Sequence, residues 1–198
     1  MSGEPRLPSQ IRGRHMSVDN RIPKPIDLGR TRDFRVEDAV ISYRNHCEAV
    51  EAGQPLKRTV EAERYACGFP LPSFQRPAVW TTEQKAKFIE SIFLGLHIGT
   101  YCVHESDWTG VAEAKIVPFS GWLIDGQQRL LTIEDFINDK FKVFGLYFSE
   151  LTKAEVRRFM NTPFKRHEVS LHDETKIKDL YNRLNFGGTA HTEDQRAV

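Results

Sequence analysis

Stretches of this chain in which apolar residues repeat every three or four positions are separated by short runs in which they alternate or stand together. Val36, Ala39, Val40, Tyr43, Cys47 and Val50 share one helical face, and Gly53 supplies a stop. Arg64 to Phe69 is short and aromatic and leads into Pro70-Leu71-Pro72, which predicts a strand entering a rigid, extended segment. Thr82 is the expected cap of the next helix, with Lys85 standing where a capping box wants an acid. Phe88, Ile89, Ile92 and Phe93 form that helix's stripe, and Gly95 ends it. A strand is predicted near Thr100 to His104, a hairpin loop over Ser106 to Ala114, and a core strand over Trp122 to Asp125. Helical spacing returns with Leu130, Ile133, Phe136 and Ile137, up to Asn138. Val143 to Phe148 alternates like a strand, Leu151 to Met160 is helical, Phe164 to Leu171 strand-like and Glu174 to Leu184 helical. The elements add up to an α+β fold, a small mixed sheet with helices packed on it.

Composition changes this picture mainly at the N-terminus. Met1 to Arg35 is rich in Pro, Gly, Ser and Arg and has no sustained apolar period. It is expected to be an extended or disordered arm ahead of a single domain over residues 36–198. A solvated tail, a basic arm along a nucleic-acid backbone and, as far as Met16, an appended expression leader all stay open for it. Over the 198 residues, Lys+Arg 28 against Asp+Glu 27 leaves +1, so net charge points to neither nucleic acid nor membrane. No apolar run is long enough to span a bilayer, and no signal-peptide pattern opens the chain. Cys47, Cys67 and Cys102 are widely spaced with no Cys-x-x-Cys. That argues against a disulfide framework and a structural zinc site, and for a reducing, cytoplasmic location.

The candidate chemistry lies in Ile124-Asp125-Gly126-Gln127-Gln128-Arg129, where a buried strand turns into a helix. A helix start carries unpaired backbone N–H groups and a partial positive charge, which suits an anion, and Arg129 can add a bidentate grip on phosphate. Gln127 and Gln128 can bond phosphate oxygens or orient a water, or one of them can simply tie down the turn. Asp125 would repel phosphate unless Mg²⁺ or an arginine intervenes, so it is expected either to coordinate the metal or to anchor Arg129 or Arg76. Gly126 lets the backbone turn and approach a ligand. A plain strand–turn–helix with a solvated first turn accounts for the same residues.

Three blocks in order resemble a known family. They are Leu71-Pro72-Ser73-Phe74-Gln75-Arg76 with Val79-Trp80 and the helix ending Ser91-Ile92-Phe93-Leu94-Gly95, then Ile124 to Arg129 with Leu130 and Thr132, then Arg183-Leu184-Asn185-Phe186-Gly187-Gly188-Thr189. The chain resembles the DGQQR-motif ParB/sulfiredoxin-like domains found at the N-terminus of GmrSD-type modification-dependent restriction enzymes and related phage-defence effectors. The resemblance implies a ParB/sulfiredoxin-like α+β domain that binds a nucleoside triphosphate, with hydrolysis coupled to DNA cleavage or its control. It also implies Asp125, Gln128 and Arg129 as the catalytic set, with Gln75, Arg76, Gly126, Gln127, Arg129, Asn185, Gly187 and Gly188 holding nucleotide and Mg²⁺ at Asp125. Gly187-Gly188 follows a helix end, where it is either a stop or a phosphate-wrapping backbone nest, and the resemblance favours the nest.

No His-Asn-His constellation accompanies the blocks, so the resemblance carries the nucleotide site and not a nuclease of that kind; a phage-encoded protein acting in the host cytoplasm fits such a chain. Two further readings stay open: a metal-dependent DNA nickase using the same cleft, and a non-catalytic module that binds DNA or a host or partner protein. Phe74 and Trp80 sit beside apolar neighbours and are expected in the core rather than as a base-stacking surface. His167 and His172 are expected on opposite faces of a strand and His191 at the surface, and neither Ser91 nor Ser120 has a partner base for nucleophilic chemistry.

Overall fold

The computed structural model describes residues 25–54, 58–106 and 116–186. Its elements run β1 (Arg30–Arg32), α1 (Val36–Glu51), β2 (Tyr65–Ala66), β3 (Phe69–Pro70), α2 (Thr82–Phe93), β4 (Tyr101–His104), β5 (Leu123–Asp125), α3 (Gln127–Ile137), a 3-10 turn (Phe148–Glu150), α4 (Lys153–Met160), β6 (Arg166–Val169) and α5 (Glu174–Phe186). The main sheet has the order β1-β6-β4-β5, while β2 and β3 form a separate hairpin. β4 runs parallel to β6 and the other pairs are antiparallel, so the sheet is mixed and the α+β expectation holds.

Strand alternation divides the interior into two cores. Tyr101, Val103 and Leu123 face a large core shared with α1 through α4, while Cys102 and Ile124 face a smaller one with Ile177, Leu180 and Tyr181 of α5. The large core holds an aromatic cluster in which Phe136 meets Phe159 edge-on at 5.6 Å and Phe148 edge-on at 5.7 Å. Such pairs add about 0.5–1.5 kcal/mol each beyond their buried area. Lys85 and Lys140 both clasp Asp135, at 2.6 and 2.7 Å, which ties α2 to the end of α3.

Several sequence expectations need correcting. β1 lies inside the stretch expected to be an extended or disordered arm ahead of the domain, and it pairs Arg30 with Glu168, so the sheet begins before residue 36. The cap of α2 is Thr81, one residue earlier than expected. Its hydroxyl accepts from the Gln84 N–H at 3.3 Å while Gln84 accepts from the Thr81 N–H at 2.9 Å, so the capping box is complete and Lys85 is free to reach Asp135. The predicted strand over Arg64 to Phe69 is folded back on itself by a turn at Cys67 and Gly68, with φ values of 47° and 80°. Val143 to Phe148 is likewise a tight turn. Phe144 and Gly145 have φ of 50° and 81°, and Val143 and Leu146 exchange both backbone hydrogen bonds, at 2.9 and 3.0 Å. Consecutive positive-φ residues close a two-residue hairpin, which no alternation of apolar residues reveals. The expected hairpin loop over Ser106 to Ala114 falls largely outside the described residues.

Candidate functional site

α3 begins at the end of β5 because Gly126 takes φ 100°, a left-handed backbone that turns the chain out of the sheet. A β-carbon there would lie 2.5 Å from Cβ of Tyr101 on the adjacent strand. The glycine therefore permits close approach to β4, and its backbone also lines the cleft described next. The N-terminus of α3 has no side-chain cap and no acid in its first turn. By contrast, Asp38 caps the start of α1 through the Arg35 N–H at 2.8 Å, and Thr152 and Glu155 close the start of α4. The N–H groups at the mouth of α3 are thus left facing a cleft.

The cleft encloses about 370 Å³ and is lined by Gln75, Arg76, Asp125, Gly126, Gln127, Gln128, Arg129 and Asn185, together with Trp80, Ile124, Tyr181 and Leu184. All the predicted site residues that are described thus meet in one place; Gly187, Gly188 and His191 lie outside the described residues. A larger groove of about 500 Å³ between the start of α1 and α4 contains none of them. Its lining joins Leu151, Val156 and Met160 with Glu37, Lys153, Arg157 and Asn161, whereas the motif residues line the smaller cleft, which is therefore the candidate site.

Each polar side chain in the cleft has a distinct job. Arg129 Nη2 donates to Asp125 Oδ2 at 2.5 Å, so Asp125 anchors Arg129. Both are about one-quarter exposed, which keeps the guanidinium within reach of a ligand. Gly99, unremarked in the sequence, makes room for it: a β-carbon at Gly99 would fall 2.6 Å from Arg129 Nη1. Gln128 Oε1 accepts from the Val79 and Trp80 N–H groups at 3.1 and 3.2 Å, tying down the loop after Arg76 rather than its own turn. Gln127, 8% exposed, makes no side-chain hydrogen bond with the described residues.

Gln75 joins the first block to the second. It is buried, its Nε2 donates to the backbone carbonyls of Leu123 and Ile124, and its Oε1 has no hydrogen-bond partner. Arg64 braces the same segment through the Gln75 carbonyl at 2.7 Å. Tyr181 packs edge-on to Phe74 at 5.5 Å, and burial, offset in part by a hydrogen bond from the Arg76 backbone, pushes its phenol up. Asn185 Nδ2 donates to the Tyr181 carbonyl at 2.9 Å, one turn back along α5. Phe74 lies against the smaller core as expected, but Trp80 is only half-buried and lines the cleft.

The family model for the GmrSD restriction endonuclease N-terminal domain matches residues 57–195. The chain belongs to this family. The stretch matched to the GmrSD N-terminal domain takes in every assigned site residue from Gln75 to Gly188. β1 and α1 precede it, yet Val36, Ala39 and Val40 of α1 are wholly buried in the large core. Searches of curated proteins and of solved structures gave no match. Arg64, Gly99 and Tyr181 support or line the candidate cleft and were not singled out from the sequence. Only a contact map could have found Arg64 and Tyr181, whereas Gly99, just before a predicted strand, was a visible signal.

Among the described residues no three His, Cys, Asp or Glu side chains are grouped to hold a metal. Among the described residues Asp125 is the single carboxylate on the cleft wall. A magnesium ion there would draw its remaining oxygens from water and from a ligand's phosphates, the usual pattern for that ion.

Proposed function

We propose that the cleft binds a nucleoside triphosphate and that the protein acts on DNA in restriction or phage defence, as a GmrSD-family domain. The observation that carries this reading is convergence: Gln75-Arg76, Asp125 to Arg129 and Asn185, far apart in sequence, line one cleft at an uncapped helix start. Among the described residues of the lining, two guanidinium groups, Arg76 and Arg129, stand with one carboxylate, Asp125. The α3 backbone N–H groups add directional donors that need no reorganisation to meet an anion. The partnerless Gln75 Oε1 and the unengaged Gln127 amide fit a ligand or bound water that supplies the missing contacts.

Within this reading the chain's residues divide the work. Arg129, held by Asp125 and seated over Gly99, neutralises phosphate charge, and Arg76 supplies the second cation. Asp125 would be the residue to hold Mg²⁺, which when bound would shield the triphosphate's charge. Gln127 orients water, since the Gln128 oxygen is already engaged by two backbone N–H groups. A nicking activity has less support, because among the described residues the cleft offers one carboxylate, already paired to an arginine, for metal-assisted phosphodiester cleavage.

Thermal denaturation with each common nucleoside triphosphate, with and without Mg²⁺, tests the proposal. At a hundred times the dissociation constant, binding adds about 2.7 kcal/mol. For a chain of this size that is a rise of roughly 5–10 °C in Tm. No rise with any of them would rule out the nucleotide reading.

A further inference from the structure

We infer that Trp80 is the surface on which the nucleobase stacks, an inference that rests on the nucleotide reading above. The cleft wall is divided by chemistry: Arg76, Asp125, Gln127 and Arg129 supply charge and hydrogen bonds, while Trp80, Ile124, Tyr181 and Leu184 are apolar or aromatic. A nucleoside triphosphate needs both, because its phosphates are anionic and its base presents a flat π-face. Ile124 and Tyr181 are closed to such a role, being 1% and 3% exposed. The Tyr181 ring is also occupied by Phe74, and its hydroxyl by the Arg76 backbone. Trp80 is half-buried, and among the described residues it is the remaining aromatic side chain on the wall.

Its surroundings hold it ready. Phe88 packs against the indole with ring centroids 5.6 Å apart and planes inclined at 56°. The backbone on the other side of the residue is pinned by Gln128 Oε1, which accepts from both Val79 and Trp80. Gln128 belongs to the first turn of α3, the same turn whose N–H groups face the cleft. One side chain therefore ties the helix start to the backbone that carries the indole. A platform fixed in this way favours any base over none and discriminates little among bases, because every base has a π-face.

The test compares binding of ATP, GTP, CTP, UTP and inorganic tripolyphosphate by calorimetry. It uses the full chain and its Trp80→Ala, Trp80→Leu, Trp80→Phe and Arg129→Ala variants. The wild type should bind nucleotides more tightly than tripolyphosphate. Trp80→Ala should weaken nucleotide binding by about 5- to 150-fold, the equivalent of base–aromatic stacking, and leave tripolyphosphate unchanged. Trp80→Leu keeps apolar bulk against Phe88 and should show the same selective loss if the alanine variant does not fold; Trp80→Phe should recover most of the affinity. Arg129→Ala should weaken both ligand classes. Nucleotide affinity unchanged in Trp80→Leu, or an equal loss for nucleotide and tripolyphosphate, would overturn the platform while leaving the phosphate site intact. A wild type that binds neither ligand class would overturn the nucleotide reading and the platform with it.

Discussion

At the scale of single residues, two glycines beside the site carry different loads. Gly126 holds φ 100°, and a β-carbon there meets Cβ and Cα of Tyr101 at 2.5 and 3.2 Å, in the middle of the sheet. Gly99 holds φ 79°, but its β-carbon meets only the tip of the Arg129 guanidinium at 2.6 Å. A guanidinium tip moves easily; a β-strand does not. Gly126→Ala should therefore cost at least about 2–3 kcal/mol of stability, combining steric overlap with positive-φ strain. Gly99→Ala should cost roughly 1 kcal/mol, the strain alone, and displace the arginine. Urea denaturation of both variants checks the order, and a smaller loss at Gly126 than at Gly99 would contradict it.

At the scale of elements, α3 meets the β2–β3 hairpin through Glu134, whose Oε2 accepts the Cys67 N–H at 3.0 Å. Burial raises the Glu134 carboxyl above its ordinary 4.5, although that hydrogen bond opposes the shift. A raised carboxyl binds its proton more tightly in the folded state. Its stabilising contribution is thus complete below about pH 4.5 and lost as pH climbs through the raised folded value. Asp135 works the other way: burial pushes it up, but Lys140 and Lys85 prevail and hold it below 3.8, so its contribution is lost only as pH falls through that lowered value. The stability difference between wild type and Glu134→Gln isolates the first effect. It should shift in the variant's favour as pH rises past 4.5, and a flat difference would mean Glu134 is not raised. The same hairpin shows where sequence patterning stopped short. The helices and β4, β5 and β6 were legible because their apolar residues keep a helical period or stand as short core runs. The turns Cys67-Gly68 and Phe144-Gly145 were not, because a left-handed Cys or Phe replaces the Asn or Asp that advertises such a turn.

At the scale of the whole molecule, the sheet places the end of β5 and the start of α3 opposite the C-terminal part of α5, with the segment after Pro72 closing the remaining side. The membership of the cleft was largely legible from three ordered motifs, since Gln75, Arg76, Asp125 to Arg129 and Asn185 all line it. The division of labour was not. Patterning cannot tell that Gln128 faces a neighbouring loop, that Gln75 bonds the carbonyls of β5, or that Trp80 escapes the core, because each depends on contacts some fifty residues away in sequence. Determining the structure of the protein with a non-hydrolysable nucleoside triphosphate and Mg²⁺ tests the central claim most directly. The account predicts the triphosphate at the start of α3, contacted by the Gln127 and Gln128 backbone N–H groups and by the Arg129 guanidinium. Nucleotide bound in the groove between α1 and α4, or a cleft that stays empty in crystals of a protein saturated with nucleotide, would contradict it.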